Sequence, residues 1–454
     1  MEQQVENFEQ IVQNIANFVW GVPLIVLLLG THLFLTFKLK FIQRFIGLAL
    51  KISFKRDKDS KGDISQFGAL AVALAATIGT GNIVGVSTAI AAGGPGAVFW
   101  MWITGVLGIA TKYGEAVLAV KYRVKNPDGT YSGGAMYALE RGLNKKYLGI
   151  IFAVFTIIAS FGIGSSVQSN SIAHLAADSY SIPMWVTGLI LSVLTGLVIL
   201  GGIKSIANVC TFFVPFMALL YILGCLYILL TNLSSLPGTI MLIFDSAFNG
   251  QAAVGGFLGA GVQQAMRMGL ARGLFSNESG MGSAPMIAAA ARTKNSVRQG
   301  LVSASGTFWD TVVICAMTGL VIVNSGDWTS GLNGSLLTAT AFAEVPYIGT
   351  TILNFGLITF VFSTIIGWSY YAERSIVYLS GQKGIMPFRV IWVIIIFLGS
   401  IVTLDSVWNM ADIANALMAI PNLIALLLLS KVIVSETKKY LWSGKIDEID
   451  PELD

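Results

Sequence analysis

The chain has 454 residues, of which 55% are hydrophobic and only 11% charged, with a formal net charge of +4. Soluble domains carry roughly a quarter charged residues, so most of this chain is expected to have lipid as its solvent. The 49 glycines follow no G-x-y period, which excludes a collagen-like chain, and Cys210, Cys225 and Cys315 all lie in apolar runs with neither disulfide nor metal-site spacing.

The opening MEQQVENFEQ is acidic and is followed by no small-residue cleavage site, so a removable signal peptide is not expected. Val5, Phe8, Ile11, Val12 and Ile15 recur at helical spacing and predict a short helix on the outer membrane surface. Eleven apolar spans follow, at 18–37, 65–92, 97–120, 147–176, 182–200, 205–231, 252–290, 296–323, 347–371, 388–403 and 410–430. If the first runs inward, every one of the 28 Lys and Arg except Lys112, Arg267 and Arg272 falls in a loop on the inner side. The positive-inside rule then predicts a multi-pass protein of the cell membrane, with an extracellular N-terminus and a cytoplasmic C-terminus. The same placement assigns the basic residues to topology, so no nucleic-acid partner is expected.

Setting aside the first span leaves two sets of five, which an odd count orients oppositely, as in the inverted repeats of secondary transporters. The predicted all-α architecture comprises residues 1–64 (surface helix, first span, basic cytoplasmic loop), a first repeat at 65–231 and an extracellular connection at 232–251. A second repeat at 252–432 and a cytoplasmic tail at 433–454 complete it. The first span of each repeat reads as interrupted, by AATIGTGNIVG near 79–82 and by ARGLFSNESGMGSAP near 273–277. Paired interruptions point to a substrate site at the membrane midplane. Glycine alone also serves close helix packing, which is the preferred reading for Gly85. The clusters GTGN and GLFSN add capping residues that packing does not need.

The run GGPGAVFWMWITGVLG at Gly93–Gly108 resembles the signature of the alanine or glycine:cation symporters, also called sodium:alanine symporters. GTGNIVGVSTAIAA before it, ATKYGE at Ala110–Glu115 and RGLFSNESGMGSAP at Arg272–Pro285 are similar to other segments of that family. Gly105 and Ser279 are small departures. The resemblance implies a LeuT-like fold, uptake of alanine or glycine, no organic cofactor, and Na⁺, or in some cases H⁺, as the coupled cation.

Broken helices offer complementary partial charges to a zwitterion. Backbone N–H groups around Gly79, Thr80 and Gly81 are expected to hold its carboxylate. Gly273, Leu274 and the Ser276 hydroxyl are expected to accept from its ammonium. Gln168, a lone amide in an apolar span, is favoured as a further ligand, whereas for Asn170 a helix-bridging role is preferred. Phe275, in the second break, is expected to limit side-chain size. The resemblance adds Ile366 and Trp368, on the span that faces the first broken helix in LeuT-like folds. It also implies that Ser363 and Thr364 complete a Na⁺ site with the carbonyls of Ala75 and Ile78. Lys112 and Glu115, three apart on a helix, are expected to pair. Arg267, Arg272, Glu278, Asp310 and Asp412 are gate candidates, and Asp412 forms a polar stripe with Asn409 and Asn415. A channel would need a repeated or ringed pore lining, and a membrane enzyme a catalytic cluster that two separated histidines, His32 and His174, do not supply.

Overall fold

The computed structural model describes residues 2–55, 60–249, 261–402 and 405–453. The beginning of the span expected at 252–290, the end of the 232–251 connection, residue 403, and Arg56 and Lys58 of the basic loop lie outside the described residues.

In chain order the helices are α1 (Glu2–Val19), α2 (Val22–Lys38), α3 (Ile46–Ser53), α4 (Gln66–Thr77), α5 (Gly81–Gly93), α6 (Gly96–Lys121) and α7 (Lys146–Tyr180). There follow α8 (Met184–Leu200), α9 (Gly202–Thr231), α10 (Leu236–Phe248), α11 (Val262–Asn277), α12 (Ser296–Ser325), α13 (Gly334–Ala343), α14 (Ile348–Ser380), α15 (Ile385–Ile401), α16 (Asp405–Leu428) and α17 (Ser430–Thr437). A two-stranded hairpin, β1 (Val124–Lys125) with β2 (Tyr131–Ser132), connects α6 to α7. Among the described residues, seven helices are long and apolar enough to cross a membrane, or nine if two bent pairs each count as one span. Sequence reading overlooked α10 and α13, which fold within segments taken as connections.

The outer helices carry apolar residues on their exposed faces. Leu189, Val193 and Leu197 of α8, and Phe212, Phe216, Leu219 and Leu223 of α9, all point away from the bundle. In water such a surface would be costly, whereas against acyl chains it costs nothing. Polar side chains are instead gathered inside, where α4, α6, α7, α11, α12, α14 and α16 pack together.

The basic loops converge on one end of the bundle, where the chain's last residues fold beneath it. Arg123 donates to the carbonyls of Ala291 at 3.1 Å and Leu453 at 3.2 Å, and Arg298, fully buried, pairs with Asp447 at 2.5 Å. Asn295 caps α12 by accepting from the Arg298 N–H, and its amide donates to the carbonyls of Ile446 and Glu448. The final residues of the segment expected as a cytoplasmic tail pack against this end of the bundle, where buried guanidinium and amide groups need acceptors.

Candidate functional site

The first interruption is a true break. Helix α4 starts with Ser65, whose hydroxyl accepts from Gly68 N–H, and ends as Ile78 turns to an extended conformation; α5 then sets off at 56° to it. Asn82 enforces the break by taking the Gly79 N–H on its Oδ1 at 2.9 Å, while its own N–H goes to the Gly79 carbonyl. In an uninterrupted helix these two N–H groups would bond the carbonyls of Ala75 and Ile78. Both carbonyls are thereby released, and the hydroxyls of Ser363 and Thr364 on α14 lie 3.2 Å from Ala75 O and Ile78 O respectively. Each hydroxyl also reaches the Phe360 carbonyl of its own helix, at 2.8 and 3.0 Å.

The second break lies later than the sequence suggested. Helix α11 continues through Asn277, and the chain leaves it at Glu278, with Glu278, Gly280 and Gly282 all at positive φ. Gly273 does a different job: a Cβ there would collide with Thr104 and Met101 of α6, so it is a packing glycine and not a hinge. Neither Gly273 nor Leu274 reaches the cavity, since Leu274 is fully buried in the core and its carbonyl accepts the Glu278 N–H. The released carbonyls are instead those of Phe275 and Ser276. The Ser279 and Gly280 N–H groups that would bond them are taken by Asn277 Oδ1 and Glu115 Oε1.

Glu115 holds this second break in place. Its Oε1 accepts from Gly280 N at 3.1 Å, Gly282 N at 3.0 Å and Asn422 Nδ2 at 2.6 Å. The expected Lys112–Glu115 pair is not formed, and the buried Lys112 ammonium has no hydrogen-bond partner among the described residues. A carboxylate beside unsatisfied N–H groups makes several charge-assisted bonds there, more than one lysine would give.

A small cavity lies between the two breaks, lined by Gly79, Thr80, Gly81, Gln168, Phe275, Ser276, Thr364 and Trp368, among others. Its volume of about 20 Å³ admits roughly one water. Phe275 and Gln168 separate it from an outer cavity of about 230 Å³ that also reaches Arg272 and Asp412. A Cβ on Gly81 would sit 3.6 Å from both Phe275 and Ser276, so the two breaks touch there. Gln168 donates to the Ile163 carbonyl at 2.9 Å and leaves Oε1 buried with no partner among the described residues, whereas Asn170 bridges to Gly399 O. Ile366 is fully buried in the core and lines neither cavity. Gly85, read as a packing glycine, faces the outer cavity with nothing nearer its Cβ position than Thr80 O at 4.0 Å.

Three contributors had no place in the substrate or cation site read from sequence, although Asp310 was a gate candidate and Asn415 part of a polar stripe. Asp310 accepts from Asn82 at 2.8 Å, Ser276 at 3.0 Å and Thr311 at 2.7 Å, joining the two broken helices through one fully buried carboxylate. Asn82 is the second, and Asn415, whose buried Oδ1 has no partner among the described residues, also lines the inner cavity. The helices wind into wider π-type turns beside it, at Gly81–Gly85, Ser160–Ser166 and Phe308–Cys315, a distortion common at functional sites.

Long apolar helices packed around a cavity between two broken ones fit a multi-pass membrane protein, and its family and relatives are transporters, not enzymes. The chain belongs to the sodium:alanine symporter family, whose sequence model matches residues 5–453. An uncharacterized transporter of Haemophilus influenzae is 52% identical over 98% of each chain. The sodium/alanine symporter AgcS of Methanococcus maripaludis is 49% identical over 96% of this chain and 97% of its own. The crystal structure of MhsT in complex with L-phenylalanine shares the fold, with a TM-score of 0.59 at 16% identity over 85% of this chain and 95% of that one.

Proposed function

We propose that the protein imports small neutral amino acids, alanine and glycine, together with Na⁺, by alternating access across the cell membrane. Ten of eleven spans form two inverted five-helix repeats, with the N-terminus outside. The observation that carries this reading is the pair of released carbonyls, Ala75 O and Ile78 O, each faced by a hydroxyl at 3.2 Å. Four neutral oxygens suit a hard cation. A spacing of 3.2 Å matches neighbouring ligands around an ion whose oxygen distances are roughly 2.3–2.6 Å, as for Ca²⁺. The family membership and the name of the Methanococcus relative support Na⁺ and alanine.

The substrate carboxylate is assigned to the opening N–H groups of α5, at Thr80 and Gly81, since Gly79 N–H is engaged by Asn82. Its ammonium is assigned to the released carbonyls of Phe275 and Ser276 and to Gln168 Oε1. Phe275, which lines the cavity opposite Gly81, is assigned the limit on substrate side-chain size. Trp368 closes the cavity on the α14 side.

Gln168→Ala removes one acceptor from the ammonium without touching the breaks. We expect alanine affinity about tenfold or more weaker, as for loss of a hydrogen bond to a charged group at roughly 1.5–3 kcal/mol. Equilibrium binding of labelled alanine to purified, monodisperse protein in saturating Na⁺ measures it. Parental affinity would remove Gln168 from the site.

A further inference from the structure

Phe275 is the partition between the inner cavity and the outside, and its outer face is not left bare. The Trp20 ring, at the end of α1, meets it edge-on with centroids 6.1 Å apart and planes at 62°. Trp20 is itself fixed, because its Nε1 donates to the Asp412 carbonyl at 3.0 Å. Gln13 and Ala16 of α1 join Trp20, Arg272, Phe275 and Asp412 around a second outer cavity of about 180 Å³. Helix α1 rests on α16, with Val12 and Ala16 buried. From the cavity outward the order is thus Phe275, Trp20, surface helix.

We propose that Trp20 is a positioning residue that holds Phe275 closed over the bound amino acid, so that α1 is the outer cover of the site. The inference rests on the cavity being the substrate site. Phe275 cannot swing toward the second outer cavity, which Trp20 lines, without displacing the Trp20 ring, and Trp20 cannot move without giving up its bond to Asp412 O. Passage of the substrate by way of that cavity therefore requires Trp20 to move, and the cover lengthens the stay of the amino acid.

Release of labelled alanine from purified full-length protein in Na⁺ tests this, with Gln168→Ala binding measured alongside. Trp20→Ala is expected to release alanine about tenfold faster, the size of losing one aromatic pair and one hydrogen bond, and Trp20→Phe by less. An Ala271→Cys reporter in the cavity that Trp20 lines should also react faster with a maleimide while alanine is bound. If Trp20→Ala does not fold, Trp20→Leu, which keeps bulk but not the ring edge, serves the same comparison. Parental release and labelling with weakened binding in Gln168→Ala overturns the role of Trp20 and leaves the cavity assignment standing. Parental binding in Gln168→Ala overturns the cavity assignment and this inference with it.

Discussion

Replacing Ser363 and Thr364 together by alanine is expected to abolish Na⁺-dependent alanine accumulation while the protein still folds and inserts. The two hydroxyls sit 3.2 Å from carbonyls that Asn82 has deprived of their helical donors, so each hydroxyl faces a released carbonyl across the helix interface besides its bond to Phe360 O. The substitutions remove ligands and little volume, and α14 needs neither hydroxyl for its own backbone bonds. Two interactions with a cation at roughly 1.5–3 kcal/mol each correspond to a Na⁺ affinity at least about 100-fold weaker. Titrating alanine binding with Na⁺ measures the shift directly. If half-saturation stays at the parental Na⁺ concentration, the hydroxyls serve only their bonds to Phe360 O and the cation sits elsewhere.

Asp310→Ala is expected to have a comparably large effect through a different route. One carboxylate accepts from Asn82 beside the first break, from Ser276 beside the second, and from its neighbour Thr311. Its removal takes the acceptor from the Thr311 hydroxyl and leaves Asn82 and Ser276 with longer contacts to the Asp310 carbonyl and Cys315 Sγ, at up to about 1–3 kcal/mol for each buried donor, and loosens the broken helices from each other. Alanine binding should fall more than about 100-fold, and the thermal midpoint in detergent should drop by several degrees. Asp310→Asn, which keeps an acceptor for one donor, should lie between. A variant with parental stability and affinity would show that the breaks are held by packing alone.

The helices were legible because a bilayer demands long apolar runs, and α6, α9 and α14 announce themselves by that alone. Helices α10 and α13 were not, since 13 and 10 residues between loops fall below the length that reads as a crossing. The first break was visible in GTGN because glycine and the capping Asn82 coincide there. In the second, glycines serve two purposes within ten residues: Gly273 packs against α6 and Gly280 and Gly282 turn the chain. No local pattern separates these roles. Lys112 and Glu115 have the spacing of an ion pair, yet the carboxylate goes to N–H groups 165 and 167 positions away. Asp310 and Asn415 were likewise visible as polar residues in apolar spans, but their position at the cavity depends on packing between helices distant in sequence.

In the proposed function a Na⁺ gradient drives a small neutral amino acid through this cavity. The most direct measurement is uptake of labelled alanine by proteoliposomes of defined Na⁺ gradient. Saturable accumulation above the outside concentration, collapsing when a Na⁺ ionophore dissipates the gradient, is expected. Equilibration without accumulation, or uptake indifferent to Na⁺, would contradict it.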